Sequence, residues 1–287
     1  MTELMLGGAY RLTLAKRGSS AGYAAGSQGT ALANGSTSHS WSLDGCRLNE
    51  MNRASPGTQT WQAGDKDVGY RTYGRRRINS MKLTSDLLDR DLAVAIVNTA
   101  VDATSNSRYP QYSLDTAIIN APDMVAILTQ EAMLRGATQT KYLHWLFPFV
   151  KGDVSFTNPT FQQKVSIEFN FDIPADVGRN IFGQLFPTAM ALPDDGLLGH
   201  YFMESDYPIA LTAFRGDGNE DTFTTQYLPV SNEVTSGAAY NWSFVNGQNT
   251  QPTSVSTTTG DVVYTAPPAA GAWGVILYGT RYRLPAA

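Results

Sequence analysis

Charge is scarce in this chain. Asp, Glu, Lys and Arg make up only 16% of its 287 residues, against about 25% in an average globular protein. That shortage disfavours a helical bundle or coiled coil, which needs many Glu, Lys and Arg. There is no excess of positive charge either: 21 basic residues face 25 acidic ones, a net of −4. A strongly basic nucleic-acid binder is thereby disfavoured. Cysteine occurs once, at Cys46, so no intrachain disulfide can form. His39, His144 and His200 are the only histidines, and no two have the spacing of a metal pair. Long apolar runs are missing. The most apolar stretches, Leu92–Val97 and Tyr142–Val150, fall far short of the roughly 20 residues of a membrane span. Met1–Ala15 has no basic start followed by an apolar run, so a cytoplasmic, soluble product is expected. No phosphate-binding glycine loop and no Gly-x-Ser-x-Gly elbow occurs. Asp217, Asn219 and Asp221 alternate like the start of a calcium loop, but no Gly follows and position 228 is Leu, so a solvated turn is expected. No metal, cofactor or catalytic constellation is expected, and the chain reads as a non-enzyme.

What fills the gap is glycine, at 26 residues, with abundant Ser, Thr and Asn, together with 14 Tyr, 12 Phe and 5 Trp. So much aromatic surface argues against disorder, and the remainder is the material of turns and strands. Charge is also unevenly placed. Residues 1–90 carry +5, residues 91–189 carry −3 and residues 190–287 carry −6. Such polarity suits head-to-tail self-association.

Ala9–Lys16 alternates as a half-buried strand. Arg17–Asp67 is dense in Gly, Ser, Thr, Ala and Asn. It reads as an extended arm anchored on a neighbouring subunit by aromatics such as Trp41 and Trp61, or as a plain loop or two weakly signalled strands around those tryptophans. Tyr70–Thr84 reads as a strand whose Arg75, Arg76 and Arg77 could meet carboxylates of a neighbour or, less well in an acidic chain, phosphates. Ser85 caps a helix with Asp86 and Asp89 in its first turn and an apolar stripe of Leu88, Leu92, Ala95 and Ile96. Arg108–Ile119 is a possible strand. Asn120–Leu134 is predicted as a second helix ended by Gly136, with Val125–Leu128 also readable as a strand.

Lys141–Lys151 is strongly aromatic, and His144 within it is expected to be a hydrogen-bonded core residue. The sharpest pattern follows. Phe161, Val165, Ile167, Phe169, Phe171 and Ile173 occupy odd positions, and Gln162, Lys164, Ser166, Glu168, Asn170 and Asp172 even ones. That period predicts a strand with one face in a core and one in water. Pro187–Gly199 reads as a connector. Six short strands are predicted beyond it: Tyr207–Phe214, Thr222–Val230, Tyr240–Phe244, Thr253–Thr257, Val262–Thr265 and Trp273–Arg283. They suggest a small β-sandwich at 199–287, after a first unit at 1–198.

This order of features — opening strand, polar arm, Arg75–Ala100 strand and helix, aromatic Tyr142–Val150, alternating Phe161–Ile173 ending at Pro174 — resembles the major tail tube proteins of tailed bacteriophages. Val255–Tyr278, with Thr259-Gly260 and Tyr264-Thr265-Ala266-Pro267, is similar to immunoglobulin-like domains appended to phage virion proteins. The resemblance implies a mainly β, sandwich- or barrel-type tail tube fold with one or two helices, plus an immunoglobulin-like sandwich. It implies hexameric rings stacked into the genome channel of a long, non-contractile tail. Other tail proteins would be partners, and DNA would pass without being gripped. The protein would be made in the host cytoplasm and act in the virion. Gln162, Lys164, Ser166, Glu168, Asn170 and Asp172 would then face the lumen, and Trp41, Trp61, Arg75, Arg76 and Arg77 would contact other subunits. The alternative is a virion decoration or glycan-binding protein acting through the C-terminal unit, where Tyr240, Trp242 and Trp273 could stack on sugars.

Overall fold

A computed structural model describes residues 4–16, 40–54, 58–63, 66–71, 77–86, 92–93, 96, 101–102, 111–112, 124–134, 140–156, 166–173, 201–235, 241–246 and 248–282. In chain order the first strands are β1 (Leu4–Lys16), β2 (Ser40–Ala54), β3 (Thr58–Ala63), β4 (Lys66–Arg71), β5 (Arg77–Ser85), β6 (Val101–Asp102), β7 (Gln111–Tyr112), β8 (Met124–Leu134), β9 (Thr140–Phe156), β10 (Ile167–Asp172) and β11 (Tyr201–Ser205). Then come β12 (Ile209–Arg215), β13 (Thr222–Thr224), β14 (Trp242–Val245), β15 (Gln248–Asn249), β16 (Ser254–Val255), β17 (Asp261–Val263) and β18 (Trp273–Gly279).

The protein is mainly β, built on a closed six-stranded barrel. The ring runs β10–β5–β2–β1–β8–β9 and closes where β9 pairs with β10; β11 adds to β9 outside it. Closure depends on β9 bending. Its Thr140–Val150 portion pairs with β8, and its Lys151–Phe156 portion pairs with β10. Between them the register slips, with Val150 and Phe147 of β9 opposite Met124 and Ala126 of β8. The extra residue falls at Pro148–Phe149, and a bulge is where a strand tolerates proline and turns. The slip also moves the inward set from Phe147 to Val150 and Val154.

The barrel interior is solid. Leu12, Leu14, Leu43, Ile78, Met81, Leu83, Met124, Leu128, Phe147, Phe169 and Phe171 fill it, joined by helical Leu92, Ala93 and Ile96. Leu92 and Ile96 are two members of the predicted helical stripe. On β10 the alternation holds as predicted from Ile167 to Ile173: the odd residues are buried, the even ones exposed or half-buried.

Two expectations are corrected. In place of an arm, the alternative of two weakly signalled strands around Trp41 and Trp61 holds: Ser40–Ala54 is barrel wall, paired with β1 and β5, and β3 pairs with β4. Residues 17–39 lie outside the described residues. The alternation in β2 was hidden by bulges. Gly45 is the extra residue between Leu43 and Cys46, with φ of 72°, a conformation that glycine adopts without steric cost. A second slip falls at Asn49. The inward set therefore reads Leu43, Cys46, Leu48, Met51, a spacing with no period of two. Residues 120–123 lie outside the described residues, and from Met124 to Leu134 the predicted second helix is instead strand β8, in line with the other reading of Val125–Leu128. Its Met124, Ala126 and Leu128 enter the barrel core, and its Val125 and Ile127 are buried on the other face. Burial on both faces removes the alternation that marks a strand. Of Arg108–Ile119, only Gln111–Tyr112 is described, as a strand.

Sheet membership changes between Ser205 and Ile209. β12, β18, β14 and β15 form one sheet, and β13, β17 and β16 another. Ala210, Phe214, Ile276 and Tyr278 of the first meet Phe223, Val255, Val262 and Tyr264 of the second. The opposite face of the first sheet, with Leu211, Ala213, Phe244, Val275 and Leu277, packs on Ala15, Val125, Ile127 and Leu146 of the barrel. The six strands predicted beyond residue 200 all have counterparts here, mostly shorter.

Candidate functional site

The even residues of β10 belong to a larger polar wall on the outside of the barrel. Pairing with β5, β2 and β9 aligns three rows across four strands. One row holds Asn52, Ser80, Asp172 and Lys151; the next Glu50, Lys82, Asn170 and Asp153; the third Arg47, Thr84, Glu168 and Ser155. None of these twelve side chains is buried. Residues on one face of paired strands are neighbours, and here they bond to one another. Lys82 Nζ lies 2.7 Å from Glu168 Oε2. Asn170 Nδ2 donates to Ser155 Oγ at 3.3 Å, and Asn52 Nδ2 to Ser80 Oγ at 3.2 Å. At one end Asp86 accepts from both Arg47 (2.9 Å) and Ser166 (2.9 Å). Three cations, Arg47, Lys82 and Lys151, face four anions, Glu50, Asp153, Glu168 and Asp172, so the wall is hydrated and near neutral.

Of the predicted lumen residues, Ser166, Glu168, Asn170 and Asp172 are therefore brought together; Gln162 and Lys164 lie outside the described residues. The wall residues on β2, β5 and β9 were not predicted. A signal existed in Lys151, Asp153 and Ser155 alternating with Gly152 and Val154, and in Ser80, Lys82 and Thr84 alternating with Met81 and Leu83. Among the predicted subunit contacts, Trp41 is half-buried and packs against the barrel core. Trp61 pairs through its backbone with Val68, and Arg77 with Ala54. Arg75 and Arg76 lie outside the described residues.

Among the described residues, the cysteine and the histidine that could do chemistry are held in the core; His39 and His200 lie outside the described residues. Cys46 is buried, and burial pushes its thiol up to about 12, which suppresses the thiolate that reacts. His144 is fully buried where β8, β9 and β11 meet. Its Nδ1 lies 2.9 Å from Thr129 Oγ1 and its Nε2 2.8 Å from Ser205 Oγ. Ser205 spends its proton on the Tyr207 carbonyl, so Nε2 is the donor and Nδ1 accepts from Thr129. Burial, opposed by the Tyr207 backbone, pushes His144 down to about 3, so it is neutral. Asp217 accepts the N–H groups of Asn219 and Glu220, each at 2.7 Å, which holds its carboxyl below the usual range; this is the solvated turn expected there. Among the described residues no group of three His, Cys, Asp or Glu is placed to hold a metal ion. Trp273 is buried and Trp242 half-buried, both in the cluster between the C-terminal sheets and the barrel; Tyr240 lies outside the described residues. Compared with protein-family models, curated proteins and solved structures, the chain matches none of them.

Proposed function

We propose that this protein is a structural subunit that assembles into stacked, hexameric rings, the DNA-conducting tube of a long, non-contractile phage tail. The observation that carries the reading is the polar wall across β2, β5, β10 and β9. A surface along which DNA slides must be hydrated without being basic, because phosphate contacts to Lys and Arg are strong and additive. Twelve unburied polar side chains with four anions to three cations meet that requirement. The barrel's own bore is filled by leucine, phenylalanine and the helical Ile96, so a channel in this reading lies between copies. The C-terminal sheets are read as an immunoglobulin-like sandwich on the outside of the tube. The role is mechanical, without cofactor or catalysis, and belongs to the virion.

Negative-stain electron microscopy of the purified chain over a range of concentrations tests it. Rings or hollow tubes of uniform diameter are expected. Compact monomers at every concentration, even with tail material as seed, would overturn it. The wall has its own test: tubes of Glu168→Lys/Asp172→Lys should retain fluorescent double-stranded DNA at low salt, and native tubes should not. Equal retention by both removes the wall from the lumen.

A further inference from the structure

A cleft of ≈ 710 Å³ opens where the outer face of β1, β8 and β9 meets the Asp206–Pro208 crossover and the Arg281–Tyr282 segment. It is on a different face from the polar wall: Tyr10, Thr129 and Tyr142 line it, and the wall carries none of them. Its volume suits a small ligand. Its lining is mixed in an informative way. It presents four tyrosines, two arginines, three carboxylates and two threonines, while Gly45 and Pro208 are its residues without a polar side-chain group.

Some of these groups have spare capacity. Arg11 grips Asp44 through Nε and Nη2 and stacks on the Tyr282 ring, 3.0 Å from its centroid. Its remaining nitrogen, Nη1, and the Tyr282 hydroxyl are closed off from solvent, and the Tyr282 hydroxyl is turned toward Arg11 and Thr129. Tyr282 is also held at a φ of 55°, which a bulky residue adopts only where its surroundings impose it. Among the described residues, exposed Glu131 and exposed Arg281 have no ion-pair partner, and the Arg281 guanidinium lies over the Tyr207 ring, 5.6 Å from its centroid.

An exposed arginine, an exposed carboxylate and the tyrosine faces beside them define what fits. A phosphate-rich ligand would meet Glu131 beside Arg281, with Arg11 already spent on Asp44. A peptide held by apolar anchors would find no apolar pocket among the lining residues. A neutral polyhydroxyl ligand supplies donors and acceptors together, and its C–H faces lie well on tyrosine rings. We propose that the cleft binds a neutral oligosaccharide, with Glu131 accepting from its hydroxyls, Arg281 donating to it, and Tyr142 and Tyr207 as stacking platforms. This does not depend on ring assembly.

Fluorescently labelled full-length protein on a printed array of neutral, sulfated and sialylated oligosaccharides tests it, with calorimetry on the best-retained glycan. Retention of one or more neutral glycans is expected. Glu131→Gln and Arg281→Ala should each weaken it at least tenfold with unchanged melting temperatures, both positions being exposed. Lys82→Ala on the polar wall should leave it unchanged. Retention of no glycan, preference for sulfated glycans over neutral ones, or equal affinity in both cleft variants would overturn the assignment.

Discussion

At the scale of single residues, two positions carry sharp consequences. A Cβ placed on Gly274 would sit 2.0 Å from the Phe214 ring, which itself stacks on Phe223 at 3.8 Å. Gly274→Ala should therefore cost about 1–3 kcal/mol through overpacking, read as a lower urea midpoint with unchanged slope. His144 makes stability depend on acid. Its folded pKa lies below its ordinary value of 6.5, at about 3. Between those values the unfolded chain binds a proton that the folded one refuses, so the contribution of His144 to stability falls as pH is lowered and is flat above about 7. Urea melts at stepped pH should show this dependence reduced in His144→Gln, by at most about 1.4 kcal/mol per pH unit. The core placement of His144 was legible because it sits in an apolar run. The cleft was not, since Tyr10, Asp44, Glu131, Tyr142, Asp206 and Tyr282 come from separate segments and no local spacing links them.

At the scale of elements, legibility followed how many faces a strand buries. β10 has one dry face and one wet one, so its period of two was read directly. Phe169→Ala there should cost about 3–5 kcal/mol, while Asn170→Ala should stay within about 0.5 kcal/mol. β8 is dry on both sides and reads as a helix. Its test is that Ile127→Ala and Leu128→Ala, on opposite faces, each cost about 2–5 kcal/mol, whereas a half-exposed strand would lose stability at only one of them. β2 was illegible for a different reason: bulges at Gly45 and Asn49 shift its inward face twice within nine residues, from Leu43 to Met51.

At the scale of the whole molecule, sheet membership changes after Ser205 while the packing continues across it. Leu211, Val275 and Leu277 share a core with Val125, Ile127 and Leu146 of the barrel. The full chain should thus melt in a single calorimetric transition, and residues 1–205 alone should aggregate, because Val125, Ile127 and Leu146 would be uncovered. The order of the barrel also sets a clock. β1 lies between β2 and β8, and its Lys16 pairs with Met124, 108 positions on. At roughly 5–20 residues per second a ribosome needs roughly 5–20 s to make that distance. Throughout that interval Leu12 and Leu14 lack β8, β9 and β10, the other half of their barrel. The nascent chain should consequently need holding chaperones, and its yield should be governed by translation speed as much as by the stability of the finished protein.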